Sequence, residues 1–166
     1  HALVADHDQV RLVFFGGVHT EAGLITRQMR DQGLKTVLMG GDGITSQDFA
    51  SVAGPAAEGT LMTFPPDPRA NPANAKLIAT FRANKFEPEA YTLYSYAAVQ
   101  VIKQAAEKAK SLDPKKVAEA AHSGMTFDTV LGKLIYDKKG DVSLTGFAMY
   151  TWKKVGDTIT YVQNPN

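Results

Sequence analysis

The stretch VRLVFFGG, Val10 to Gly17, is a short apolar run closed by two glycines. Its β-branched and aromatic residues predict a buried strand. Two runs of the same kind follow at 36–39 and 59–64, and segments with helical spacing of their apolar residues separate the three runs. Strands and helices that alternate with short connections predict a β-α-β-α-β unit of a parallel, doubly wound α/β sheet.

The helices of this unit have predictable ends. Thr20 can cap a first helix that runs through Gln32, with Gly33 as its C′ glycine. Thr45 and Asp48 are similar to a capping box, with Asp in place of the usual Glu or Gln, which predicts the start of a second, short helix that ends at Gly54.

The chain changes character between Pro65 and Pro72, where prolines are frequent and apolar residues are few. We predict a lobe boundary or a hinge crossing there. The longest predicted helix, 90–110, lies beyond this segment. Strands are predicted after it at 130–136, 147–153 and 158–162.

Composition excludes several classes of function. The 166 residues include 18 basic and 17 acidic side chains, for a net charge of +1, and the basic residues form no cluster larger than a pair. This argues against a nucleic-acid partner. The chain has no cysteine, which excludes disulfides, zinc–thiolate sites and cysteine nucleophiles. No apolar run approaches the roughly 18 residues of a membrane-spanning helix.

Candidate chemistry lies where the predicted strands end, because ligands bind at the carboxyl ends of parallel strands. Asp42 stands there between Gly41 and Gly43, where glycine lets a ligand approach the backbone and the carboxylate can pair with a cation. The alternative is a plain Asp-Gly turn. His19 and Glu21, at the neighbouring strand end, allow a metal pair or a general base, against the simpler interpretation of a solvated histidine.

No phosphate-binding, dinucleotide-binding or hydrolase motif occurs, and no nucleophile–base pair is visible. We therefore expect a protein without catalysis and without a cofactor. On the long helix, Tyr94 shares a stripe with Ala98 and Ile102, which predicts core packing. Tyr91 opens the helix beside a proline-containing loop, so it is freer to face a cleft.

Separated segments carry a further signal: VFFGGVHTEAG (13–23), LMGGDG (38–43), AGPAAEG (53–59), EPEAYTLYSY (87–96), FDTVLG (127–132) and DKKGD (137–141). In this order, over about Val10 to Val162, the chain resembles the periplasmic leucine/isoleucine/valine-binding proteins of ABC transporters. The resemblance implies a type I periplasmic binding protein, in which two α/β lobes trap an amino acid for delivery to a membrane permease.

The resemblance also implies which residues do what. Residues 1–64 and 147–166 would belong to the second lobe, and 65–146 would supply the C-terminal portion of the first. An acidic residue at the position of Asp42 takes the ligand's α-ammonium, and an aromatic residue at the position of Tyr91 contacts the ligand from the other lobe. Val18, at a position that is tyrosine in some relatives, and Gly41 complete the predicted contacts.

The family's N-terminal half has no counterpart in this sequence. A truncated, self-associating fragment without ligand function is therefore the alternative to a binding protein. Since the absent half would cover apolar surface, we expect two sets of helical residues to face water: Leu93, Ala97 and Val101 on the long helix, and Leu77, Ile78 and Phe81 on the helix before it. We also expect the chain to associate with an N-terminal partner or with a second copy in a domain-swapped dimer.

Overall fold

A computed structural model describes residues 10–144 and 146–165, which divide into two compact units. The sheet unit comprises the residues up to Pro66 and those from Phe147 onward, and the helical unit is Asp67–Gly146. The helices are α1 (His19–Asp31), α2 (Gln47–Ala53), α3 (Ala75–Ala83), α4 (Ala90–Ala109) and α5 (Pro114–Ala121). The strands are β1 (Leu12–Phe15), β2 (Val37–Gly40), β3 (Leu61–Phe64), β4 (Phe127–Thr129), β5 (Gly132–Leu134), β6 (Ala148–Val155) and β7 (Thr158–Gln163).

The sheet unit holds one five-stranded sheet in the order β1-β2-β3-β6-β7. The first three strands are parallel, which confirms the β-α-β-α-β prediction. β6 pairs antiparallel with β3, and β7 pairs antiparallel with β6, so the complete sheet is mixed. The parallel strands place their carboxyl ends at one edge, where Val18, Gly41 and Asp42 lie.

Two predicted helix caps are wrong. α1 begins at His19, and its N-cap is Val18 instead of the predicted Thr20, with no side chain capping it. The cap of α2 is Ser46, whose hydroxyl accepts a hydrogen bond from the Asp48 backbone N–H at 3.2 Å. Gly33 follows the C-cap of α1 with φ +76°, which confirms the predicted C′ glycine.

One face of the sheet is packed against α1 and α2. Leu38 and Met62 are completely buried on the interior side of the unit, and Tyr150 is nearly so. The ring of Phe49, from α2, lies 5.0 Å from the ring of Trp152, the single tryptophan. These large apolar side chains form the core of the sheet unit.

The opposite face, which we call the open face, carries a row of residues that pair across all five strands: Phe14, Met39, Leu61, Thr151 and Val162. Its outer members are well exposed, Phe14 at 65% and Val162 at 39%. Leu12 and Met149, on the same face, are 47% and 36% exposed. Contiguous apolar surface of this kind marks a place where something else packs.

The helical unit builds its own core where α4 and α5 meet a two-stranded hairpin. Val101 and Ala105 of α4 pack with Phe127 of β4 and Leu134 of β5. The segment predicted as one strand, 130–136, is instead a turn followed by β5, and Gly132 takes φ +100°. Across the described residues, no helix is both long enough and apolar enough to cross a membrane.

The expected exposure of the α4 stripe is wrong. Leu93, Ala97 and Val101 are at most 7% exposed, because the chain buries this stripe itself. On α3, Ile78 is also buried, and Leu77 and Phe81 are half-buried. The outward side of α4 carries Val99 at 66% and Ile102 at 60% instead. Of the stripe predicted to pack in the core, Ala98 and Ile102 are thus exposed, whereas Tyr94 is half-buried.

Candidate ligand-binding site

The ends of β1 and β2 form the candidate site of the sheet unit. Phe15 pairs with Gly40 at the last register position, so the two strands end side by side. The loops that follow carry Val18 on one side and Gly41 with Asp42 on the other. The pairing therefore brings three of the four predicted ligand-binding residues to one edge of the sheet.

Asp42 opens a short 3₁₀ turn, Asp42–Ile44, and is exposed. The hydroxyl of Thr45 donates to the Asp42 carbonyl at 2.9 Å, and the Thr45 backbone N–H donates to the same oxygen at 3.3 Å. Thr45 is only 5% exposed, so this pair of hydrogen bonds to one carbonyl anchors the turn in the protein interior. These two hydrogen bonds fix the backbone that carries the Asp42 carboxylate.

Gly41 and Val18 line the same edge. A Cβ atom placed on Gly41 would meet no other atom within 4 Å, so its backbone is open to a ligand. Val18 is 53% exposed, and its carbonyl accepts the Ala22 backbone N–H at 3.1 Å at the start of α1. An apolar side chain and an accessible backbone thus flank the carboxylate.

The two loops touch through their glycines. A Cβ on Gly43 would overlap the Gly17 carbonyl oxygen and lie 3.6 Å from the Val18 Cα. A Cβ on Gly17 would come within 2.6 Å of the Phe15 ring. Glycine at Gly43 permits this backbone contact, because a side chain there would separate the loops, whereas a side chain at Gly17 would collide with Phe15 of β1.

His19 lies beside this edge but contacts a different carboxylate. Its Nε2 atom is 3.8 Å from Oδ2 of Asp48, at the start of α2. Within residues 10–144 and 146–165, no three His, Asp or Glu side chains come close enough together to hold a metal ion. His19 and Glu21 therefore gain no third metal ligand from the described fold.

Tyr91, the fourth predicted residue, belongs to the helical unit. It is the second residue of α4 and is 46% exposed. Glu89 caps this helix end in a capping box, in which the Thr92 hydroxyl accepts the Glu89 backbone N–H at 3.0 Å. The cap holds Tyr91 in the first turn of α4, with its side chain partly exposed.

Sequence reasoning missed the parts played by Thr45 and Gly43. The sequence suggests Thr45 as a helix cap, although its position three residues after Asp42 also suits a hydroxyl that closes a turn. Gly43 carries no signal beyond being the third glycine around Asp42, since a contact between two loops cannot be inferred from either loop alone.

Comparison with known proteins decides the family. The model of the periplasmic binding protein family matches residues 2–157. The chain belongs to the periplasmic binding proteins. Leu/Ile/Val-binding protein homolog 1 of Brucella suis is 58% identical over 165 residues, which are 98% of this chain and 44% of that protein. An amino acid binding protein of Pseudomonas aeruginosa is 44% identical, over 87% of this chain and 39% of its own length.

Solved structures agree on the fold. The leucine-binding protein LivK of Thermotoga maritima superposes with a TM-score of 0.76 at 27% identity, over 92% of this chain and 43% of that one. The isoleucine complex of LivJ from Streptococcus pneumoniae gives 0.71 at 18% identity, over 98% and 49%. The expected type I periplasmic binding protein fold is thus confirmed, and the chain spans less than half of these relatives.

Family membership bears on the choice among functions. Periplasmic binding proteins are a solute-binding family, not an enzyme family. The arrangement around Asp42 suits this role, because an exposed carboxylate beside accessible backbone can hold a cationic group without any chemical step.

Proposed function

We propose that this chain is part of the solute-binding component of an ABC transporter for branched-chain amino acids. The observation that carries the proposal is the exposed carboxylate of Asp42, anchored at the carboxyl edge of the parallel strands. An α-ammonium group is the natural partner of such a carboxylate. The names of the Brucella suis and Thermotoga maritima relatives, which specify leucine, support this choice of ligand.

The remaining contacts follow from the chemistry of each residue. Gly41 offers backbone to the ligand, and Val18 offers an apolar surface to its side chain. We assign Tyr91, in the helical unit, as the fourth ligand contact. The sheet unit then represents part of the second lobe, and the helical unit represents part of the first. We infer that this binding step takes place in the periplasm, before transfer to the permease, and the family's description supports the inference.

The open face supports a second element of the proposal, a partner for this chain. Phe14 and Leu12 are more exposed than apolar residues on a covered sheet face would be. β1 is also an edge strand, and no strand among the described residues pairs with its outer side. The partner is the portion of the relatives that this chain does not span, or a second copy that exchanges elements in a domain-swapped dimer.

The test is a hybrid protein in which this chain replaces the 165 matched residues of the Brucella suis relative. Calorimetric titration of the hybrid with leucine, isoleucine and valine should show binding to a single site. The 166-residue chain alone should bind these amino acids far more weakly, because the remainder of the site lies in the other portion. A folded hybrid that binds none of the three would contradict the proposed function.

Asp42→Asn in the hybrid tests the assigned contact. Asp42 is exposed in this chain, and in the hybrid we expect the bound ligand to cover it. Removing one partner of a charge pair buried in this way costs about 2–5 kcal/mol, so leucine affinity should fall by roughly 30-fold to several thousand-fold. Asp157→Asn, in the turn between β6 and β7, removes an equal charge from the same unit and should leave affinity unchanged. Near-original affinity for Asp42→Asn would remove Asp42 from the site.

The second candidate is a self-associating fragment without ligand function, which the open face favours. It predicts an oligomer of the chain alone and no contribution of Asp42 to binding in the hybrid. The hybrid can then be expressed in cells that retain the permease but lack its binding protein. Uptake of labelled leucine by these cells would separate the candidates, because only a binding component restores transport.

A further inference from the structure

We propose that Gly43 and Thr45 are positioning residues for ligand recognition, acting through Asp42 without touching the ligand. This inference rests on the proposed function and adds to it the device that sets the Asp42 carboxylate relative to Val18. Neither residue is among the predicted contacts, and each acts on Asp42 from a different side.

Gly43 sets the spacing between the two loops. Its α-carbon packs directly against the Gly17 backbone, so the loop after β2 cannot move closer to the loop after β1. Because Gly43 has no side chain, nothing at this position pushes the two loops further apart. Because Asp42 precedes Gly43 and Val18 follows Gly17, this contact fixes the separation of the two ligand-facing positions. A methyl group there would push them apart.

Thr45 sets the orientation of the turn. Its buried hydroxyl, at 2.9 Å from the Asp42 carbonyl, holds the peptide group that follows the Asp42 α-carbon. The neighbouring residue Ile44 is completely buried, and its side chain occupies the space where a Cβ on Gly40 would stand, at 2.8 Å. The turn is thus held both by a polar bond and by apolar packing.

Three glycine-to-alanine variants of the hybrid separate positioning from stability. Gly43→Ala should weaken leucine binding by about tenfold or more, since displacing a charged contact by an ångström forfeits much of its strength. Gly16→Ala adds a methyl group in the same loop region, with its nearest neighbour 3.9 Å away, and should leave affinity unchanged. Gly23→Ala would meet Val52 at 2.8 Å between α1 and α2, and should lower the unfolding temperature with little change in affinity.

A double-mutant cycle supplies the readout that a purely structural role would not alter. In the Asp42→Asn background the charged contact is already lost, so Gly43→Ala should cause little further loss of leucine affinity. Thr45→Val should weaken binding and show the same coupling to Asp42→Asn, while Thr45→Ser, which keeps the hydroxyl, should restore it. This pair keeps the test decisive if Gly43→Ala does not fold.

The outcomes are distinguishable. Leucine binding by the unsubstituted hybrid, together with unchanged affinity in Gly43→Ala or Thr45→Val, would overturn the positioning role and leave the proposed function intact. Equal losses from Gly43→Ala with and without the Asp42→Asn substitution would also overturn it. Absence of leucine binding to a folded, unsubstituted hybrid would overturn both.

Discussion

Phe14→Thr tests whether the open face is an association surface. Threonine is also a good strand former, so β1 should persist while most of the apolar area of the side chain is removed. Because Phe14 is already 65% exposed, we expect the folded monomer to lose little stability. Association should weaken instead, since the phenyl ring offers the largest exposed fraction of the five residues in the row.

The magnitude follows from this exposure. An aromatic side chain presents about 200 Å² in all, so 65% exposure leaves roughly 130 Å² of Phe14 in water. At about 25 cal/mol per Å², complete coverage would contribute roughly 3 kcal/mol per copy. Coverage of half this area in a two-fold dimer, which contains Phe14 twice, gives about 3 kcal/mol, or roughly a hundredfold in the dimer dissociation constant.

Sedimentation and light scattering of the 166-residue chain over a wide concentration range measure this constant. Leu112→Thr is the matched control, because Leu112 is 89% exposed in the helical unit and lies outside the open face. Fluorescence of Trp152, the single tryptophan and fully buried in the sheet unit, reports the stability of that unit in each variant. A chain that stays monomeric at every concentration, with or without Phe14, would refute self-association through this face.

The remaining predictions concern single side chains. Tyr91→Ala in the hybrid should speed leucine dissociation far more than it slows association, and an unchanged off-rate in stopped-flow measurements would place Tyr91 outside the site. Thr60→Val should raise the stability of the sheet unit by about 1 kcal/mol, because the fully buried Thr60 hydroxyl has no hydrogen-bond partner in the described part of the chain. Unfolding monitored by Trp152 fluorescence measures this change, and a loss of stability would show that the hydroxyl is hydrogen-bonded. The Arg82 guanidinium donates hydrogen bonds of 2.7 and 2.8 Å to the Glu87 carboxylate and lowers the pKa of that carboxyl. The ion pair therefore stabilises the folded chain at pH values above the ordinary glutamate pKa. This contribution is lost as the pH falls through the lowered pKa of Glu87. Glu87→Gln should therefore lower the thermal stability at pH 7 but not in strong acid, as circular dichroism would show.

Much of the sheet unit could be predicted because its signals are local. Apolar runs that end in glycine or proline mark β1, β2 and β3, and their alternation with helices predicts the parallel order. The cap prediction for α2 failed because two residues could fill one role. Thr45 and Ser46 are adjacent and chemically similar, and the preceding turn presents the Asp42 carbonyl to Thr45, which leaves Ser46 to cap α2.

The hairpin of the helical unit was missed for a different reason. Val130 and Leu131 are apolar and suggest a continuous strand, yet they form the turn between β4 and β5. Their surroundings are supplied from a distance, because Gln100 on α4 accepts the Val130 backbone N–H at 2.9 Å. Gln104, one helical turn later, bonds to both backbone groups of Asp128. Side-chain amides of α4 thus make the hydrogen bonds that a neighbouring strand would otherwise make. The local sequence of the hairpin does not predict these contacts.

The error over α4 shows what hydrophobic periodicity can and cannot establish. The helix carries two apolar stripes, and spacing alone does not say which one the chain will bury itself. The stripe through Leu93, Ala97 and Val101 includes small side chains that fit close packing, and it became the interior. Val99 and Ile102 remained outside, as Phe14 did on the sheet. Apolar side chains therefore remain exposed in both units, on faces that no other described residues cover. This exposed apolar surface is the physical reason to expect a partner for a chain that spans 44% of its Brucella suis relative.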